Sequence, residues 1–193
     1  MGPLAEKRDE LFTYGDYLKW DAAERWELID GVPYNMTPAP SRFHQQVSGE
    51  LLFQLIGHLK NTSCKVYAAP FDVRLPEGDE ADDAIRTVVQ PDISVICDPS
   101  KLDNIGCKGS PDLIVEILSP ATARKDMKEK FLRYEKAGVR EYWIANPSGK
   151  TVTVFKLLDS GLFGRPDVYG EEERIKVGIF EDLEIELQSV FME

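Results

Sequence analysis

Thr87-Val-Val-Gln-Pro-Asp-Ile-Ser-Val-Ile96 and Pro111-Asp-Leu-Ile-Val-Glu-Ile-Leu-Ser-Pro120 are apolar, strand-like runs, and each contains a carboxylate that an ordinary core would exclude. Ile114, Val115, Ile117 and Leu118 enclose Glu116 along the chain, so a central strand here takes its carboxylate out of bulk water. An unpaired carboxylate so placed costs several kcal/mol or takes up a proton, unless a cation or metal lies against it. Asp92 carries the same demand into the first run.

Outward from these runs, Pro120 stops the second strand. A helix is predicted over about 122–137, closing at Gly138 as a natural C-cap, and Arg140 opens the next apolar strand, 140–146. A helical crossover makes the strands it joins parallel, with a right-handed connection. Upstream, residues 64–75 read as a strand. After the break Thr37-Pro-Ala-Pro40, residues 41–60 read as a helix with Ser41 as N-cap and Phe43, Val47, Leu51, Leu55 and Leu59 at helical spacing. The shorter links between the first three strands allow an antiparallel meander. The order helix, strand, strand, strand, helix, strand gives an α/β fold of mixed α+β type, a mixed central sheet flanked by helices.

Both ends add to this core. Thr13 is placed to cap a short docking helix with Tyr14, Tyr17 and Leu18 on one face. The Asp30-Gly31 pair between two alternating runs predicts an N-terminal hairpin. Glu27, on its first arm, reads as an exposed strand residue or as a polar group near a site. Asn146-Pro-Ser-Gly149 turns into an alternating run from Thr151, and two short antiparallel strands follow around Arg174 and Leu183. One domain is expected over 1–193: N-terminal helix and hairpin in 1–40, core in 41–146, β-rich extension in 147–193.

Composition narrows the function. A net charge of -11 counts against an indiscriminate nucleic-acid binder, although a local basic groove stays possible. No apolar run approaches the roughly 20 residues of a membrane span, and the N-terminus lacks the apolar stretch of a signal peptide, so a cytoplasmic protein is expected. Cys64, Cys97 and Cys107 have no paired spacing, and inert buried thiols are expected in place of a disulfide or zinc site. The acidic stretch 76–83 lacks the ligand pattern of a calcium loop and reads as solvated.

Neighbouring strands lie about 4.8 Å apart, so Asp92 and Glu116 on one face of adjacent strands would both reach one Mg²⁺, whose oxygen ligands sit at about 2.1 Å. The predicted helix offers a cation as well. Asp126, Lys130 and Tyr134 stand at i, i+4 and i+8 beside an apolar stripe of Met127, Phe131 and Tyr134, which puts Lys130 at the edge of the sheet-facing side. Lys130 would orient a water, deprotonate it as the neutral amine, or as the ammonium neutralise charge growing on a phosphate oxygen. Two plainer readings stand beside this one: a buried Glu116–Lys130 ion pair that only satisfies the core, and a surface pair between Lys130 and Asp126. His44 and Glu50 can project toward a site, but a lone helical histidine is more often filler.

Trp26-Glu-Leu-Ile-Asp-Gly31, Val89-Gln-Pro-Asp92, Pro111 to Pro120, Asp126 with Lys130 and Tyr134, and Gly138-Val-Arg-Glu-Tyr-Trp-Ile144 together resemble the PD-(D/E)xK nuclease superfamily. Within it the chain is similar to the Uma-type family, known as putative restriction endonucleases. The resemblance implies a Mg²⁺- or Mn²⁺-dependent endonuclease that hydrolyses DNA phosphodiester bonds, with Asp92 and Glu116 as catalytic metal ligands, Glu27 as auxiliary acid and third metal ligand, and Lys130 as catalytic cation. Gln90, Asp126 and Tyr134 would support them, and cleavage of both strands would favour a homodimer. Where the superfamily has a lysine two residues after the acid, this chain has Leu118, so that role passes to the helix, to Lys130 before Lys128. Glu50 competes with Glu27 for the auxiliary role. The alternative is a catalytically silent binding or dimerisation module that keeps the nuclease fold.

Overall fold

The computed structural model describes residues 10–21, 24–36, 39–119 and 125–192. Thr37 and Pro38 of the predicted break, Pro120 and the predicted helix start at Thr122 lie outside them.

Helix α1 (Tyr14–Tyr17) is closed at its start by Asp16, whose carboxylate accepts from the amide and the hydroxyl of Thr13. Tyr14 is buried, whereas Leu18 is exposed. Strands β1 (Trp26–Ile29) and β2 (Val32–Asn35) form the expected hairpin, with Asp30 at φ 54° and Gly31 at φ 77°, as its tight turn requires. Helix α2 (Arg42–Leu59) begins where Ser41 accepts from the amide of His44, and it buries Val47, Leu51, Leu55 and Leu59 on one side.

The single strand expected over 64–75 is two strands in two sheets: β3 (Lys65–Ala68) and β4 (Asp72–Arg74), separated by the cis bond between Ala69 and Pro70. The run 87–97 divides in the same way, into β5 (Val88–Val89) and β6 (Ile93–Ile96), around Gln90-Pro91-Asp92. Proline has no amide hydrogen for a ladder, and at both places the chain uses it to leave one sheet for the other. Strands β7 (Leu102–Asp103) and β8 (Gly106–Lys108) follow, then β9 (Leu113–Ile117). The helical segment has a π-helical part, Lys125–Lys130, that runs into α3 (Phe131–Ala137) and closes at Gly138, φ 82°. Strands β10 (Glu141–Asn146), β11 (Thr151–Lys156), β12 (Asp167–Gly170), β13 (Arg174–Lys176) and β14 (Glu184–Glu186) complete the sheets.

The central sheet is ordered β12-β11-β10-β9-β6-β3. Its middle shows the expected topology: β3, β6 and β9 are antiparallel neighbours, and the helical crossover makes β9 and β10 parallel. A second sheet, β2-β1-β5-β4-β8-β7, absorbs the hairpin and the outer halves of the divided strands. One apolar core joins α2 to the central sheet and to Ile175, Val177, Ile185, Leu187 and Phe191. Another fills the space between the two sheets and α3, around Val73, Ile114, Tyr134 and Tyr142.

The register of β3 against β6 sets Lys65 opposite Ile96 and so brings Cys64 to Cys97. They form a disulfide where inert thiols were expected; Cys107 alone is a free, buried thiol. The acidic stretch 76–83 is not merely solvated, since Asp82 lies 2.5 Å from the buried Arg74, which also meets Asp103 at 2.5 Å. Among the described residues no helix is long and apolar enough to cross a membrane.

Candidate active site

Four acids from four different parts of the chain come together here. Asp92 stands at the entrance to β6, beside β9, and its Oδ2 accepts the amide of Ile117 at 2.7 Å, one residue past Glu116. Glu116 comes from the middle of β9 and Glu27 from β1 of the other sheet; both are buried, as is Asp126 of the π-helical segment.

Lys130 joins the two sheets. Its Nζ lies 2.7 Å from Glu27 Oε1, 2.8 Å from Glu116 Oε1 and 3.6 Å from Asp126 Oδ1, with the side chain only 2% exposed. Tyr134, one α-helical turn on, donates its hydroxyl to the same Glu116 oxygen at 2.6 Å. Glu27 also takes Lys125 on Oε2 at 2.5 Å and the amide of Gln90 on Oε1 at 2.8 Å. The wider π-helical turn brings residues five apart closer to one side than an α-helix would, and both lysines reach the one carboxylate.

Electrostatics separates the two glutamates. Burial would lift both carboxyls. At Glu27 the ammonium groups of Lys130 and Lys125 outweigh burial and hold it below its usual value. At Glu116 burial prevails over Lys130, Asp126, Asp92 and Glu27 add their negative charge, and the carboxyl is pushed up to about 8. Burial also opposes the charge of Lys130, yet Glu116, Glu27 and Asp126 keep it well above its ordinary value. Burial, more than the neighbouring carboxylates, is what keeps Glu116 up.

Asp92 has a partner that sequence reading set aside as filler. His44 Nε2 lies 3.4 Å from Asp92 Oδ2, and Asp92 raises the imidazole against the desolvation that would lower it. Its Nδ1 is buried without a hydrogen-bond partner among the described residues. Of the remaining predicted residues, Gln90 adjoins Glu27 through its amide, and Asp126 accepts the Tyr142 hydroxyl on its carbonyl oxygen at 3.0 Å. Glu50 instead accepts from Gln54, which ties α2 to Glu186 and Ser189. Lys128 and Met127 are exposed, so Met127 is not part of the apolar stripe. Glu27 and Lys125 were the hardest to foresee: the one stands on a short hairpin arm, the other on a π-turn.

Two sheets that share divided strands, with carboxylates and a lysine between them, define a restriction-endonuclease-like fold. The crystal structure of a putative nuclease belonging to DUF820 from Anabaena variabilis superposes with a TM-score of 0.73 at 19% identity, over 93% of this chain and 97% of that one. The chain belongs to the Uma2 family, described as "Putative restriction endonuclease", whose profile matches residues 14–188. It is also 26% identical over 149 residues to the uncharacterized protein slr1290 of Synechocystis sp., covering 76% of this chain and 74% of that protein.

Proposed function

We propose that the protein is a divalent-metal-dependent endonuclease that hydrolyses DNA phosphodiester bonds, with Asp92 and Glu116 holding Mg²⁺ or Mn²⁺. The observation that carries this reading is the convergence of Asp92 and Glu116, with the Asp92 carboxylate bonded to the amide next to Glu116 and close enough to act on its charge. Hard carboxylate oxygens suit Mg²⁺, which binds through one or two carboxylates and leaves other positions to water and substrate phosphate. Asp92, with 23% of its side chain exposed, is the group that meets solvent. When bound, the metal would polarise the scissile phosphate and lower the pKa of the attacking water.

The chain's own residues prepare that chemistry. His44 and the Ile117 amide hold Asp92 from two directions. Tyr134 and Lys130 fix the Glu116 carboxylate, and Lys130 supplies the positive charge that favours its ionised form. Glu27 anchors Lys130 and Lys125 together. Lys125, 13% exposed against 2% for Lys130, is the ammonium better placed to approach a phosphate oxygen. Cleavage of both strands calls for a two-fold dimer.

Calorimetric titration with Mn²⁺ tests the site. Binding is expected in the parent and lost in Asp92→Asn, and affinity should rise from pH 6 to 9 because the metal displaces a proton from Glu116. Full affinity in Asp92→Asn would refute the assignment. A second reading, the silent binding or dimerisation module, is favoured by one observation: Glu116 and Lys130 are almost sealed from solvent. It predicts no divalent binding in either protein.

A further inference from the structure

A cleft of about 450 Å³ opens beside β4 and β8, outside the carboxylate–lysine cluster. Its walls include Tyr67, Phe71, Asp72, Gln90 and Asn104. The rings of Tyr67 and Phe71 are stacked, 4.2 Å between centroids and 2° from parallel. Asp72 Oδ1 accepts from Gln90 Nε2 at 2.9 Å and from the Tyr17 hydroxyl at 3.1 Å. Arg25 fixes the Gln90 amide by donating Nε and Nη2 to its Oε1 at 3.1 and 2.8 Å. Gly106 keeps this wall close: at φ 150° its position for a Cβ would lie 2.2 Å from the carbonyl oxygen of Asp72.

The lining selects against phosphate. It contains Asp72 and Asp103 and no lysine or arginine, so an anion would meet carboxylates. A flat, neutral ring bearing N–H groups suits it, with aromatic side chains for its face and Asp72 for its edge. A volume of this order holds one nucleoside-sized group and is far too small for a duplex. The cleft also adjoins the acids. The backbone N–H of Gln90 donates to Glu27, and the backbone N–H of Ala69, next to Pro70 of the cleft wall, donates to the carbonyl of Asp92.

We propose that this cleft is a nucleobase subsite that takes an unstacked base near the scissile phosphate, guanine in preference, because only guanine offers two adjacent N–H donors, at N1 and N2, to a single carboxylate. The choice of ligand rests on the nuclease reading. Nucleotide binding in EDTA is independent of metal and of cleavage, so its failure leaves that reading standing, and loss of the metal site leaves this one.

The test is titration of the full chain with deoxyguanosine 5′-monophosphate in EDTA, followed by the side-chain amide NMR signals of Gln90 and Asn104. Saturable shifts are expected, with affinity at least about fivefold above that for deoxyinosine 5′-monophosphate, which lacks the 2-amino group. Asp72→Asn keeps an oxygen for Tyr17 and Gln90 and should abolish that preference. Tyr67→Ala, at a half-buried position, should weaken all the nucleotides at least about fivefold by removing the stacking face. Equal affinities for the guanine, hypoxanthine and thymine nucleotides, shifts absent from Gln90 and Asn104, or a guanine preference that survives in Asp72→Asn would each overturn the proposal.

Discussion

Replacing Lys130 by methionine is expected to lower the melting temperature by roughly 6–20 °C and to abolish turnover. The side chain is buried, and its ammonium is shared by Glu27, Glu116 and Asp126. Methionine preserves much of the stem packing but removes the charge. Breaking a buried ion pair by deleting one partner costs about 3–5 kcal/mol, which in a chain of this size converts to the stated shift at about 2–4 °C per kcal/mol. The sign with pH is fixed. The folded pKa of Lys130 lies above the ordinary 10.5, so its contribution is fully present below that value and is lost only as pH rises through the folded pKa. The deficit should therefore persist at neutral pH, measured by thermal unfolding in EDTA. Lys128→Ala, at an exposed position of the same segment, should stay within about 0.5 kcal/mol of the parent. Equal losses from the two changes would mean that the ammonium of Lys130 contributes nothing specific.

What the sequence made legible was the demand, and what it hid was the geometry that answers it. Asp92 and Glu116 stood out because each sits in an apolar run, and Lys130 and Tyr134 followed from α-helical spacing; Lys130 Nζ and the Tyr134 hydroxyl do meet one oxygen of Glu116. Glu27 did not stand out. Its burial depends on β5 pairing with β1 and on a lysine 98 residues away, neither of which local alternation encodes. Lys125 was missed because a period of 3.6 sends it to another side of the helix from Lys130, whereas the wider π-turn brings the two closer together. The exchange of strands between sheets was signalled by Pro70 and Pro91, but a single strand was read through each of them, because the apolar runs continue on both sides. Burial alone would also have misled. Glu141 is as buried as Glu116, yet it accepts from the Trp143 indole and the Ile179 amide and holds the chain after β13 in place. The difference lies in the company: neutral donors and the single charge of Lys156 around Glu141, against one lysine and three further carboxyls around Glu116.

That competition predicts opposite outcomes for one substitution made at two glutamates touching the same ammonium. Glu27→Gln should destabilise by about 3–5 kcal/mol, because Glu27 holds Lys125 and Lys130 at once and an amide cannot balance both. Glu116→Gln should leave stability unchanged or raise it. Lys130 keeps Glu27 at 2.7 Å and Asp126 at 3.6 Å, and the new amide oxygen can still accept from Lys130 and Tyr134. The pH dependence sharpens the contrast. Glu27 has a depressed folded pKa, so its contribution is present above the ordinary 4.5 and fades as pH falls through the folded value. Glu116 is pushed up to about 8 from 4.5, so the folded state binds the extra proton across that window and the parent loses stability as pH rises through it. Removing the carboxyl removes that loss, and Glu116→Gln should gain on the order of 1–3 kcal/mol over the parent at pH 9 while differing less at pH 5. Urea unfolding in EDTA at pH 5, 7 and 9 separates the cases. Matching destabilisation by both substitutions at pH 9 would make Glu116 a structural partner of Lys130 and withdraw it from the proposed metal site.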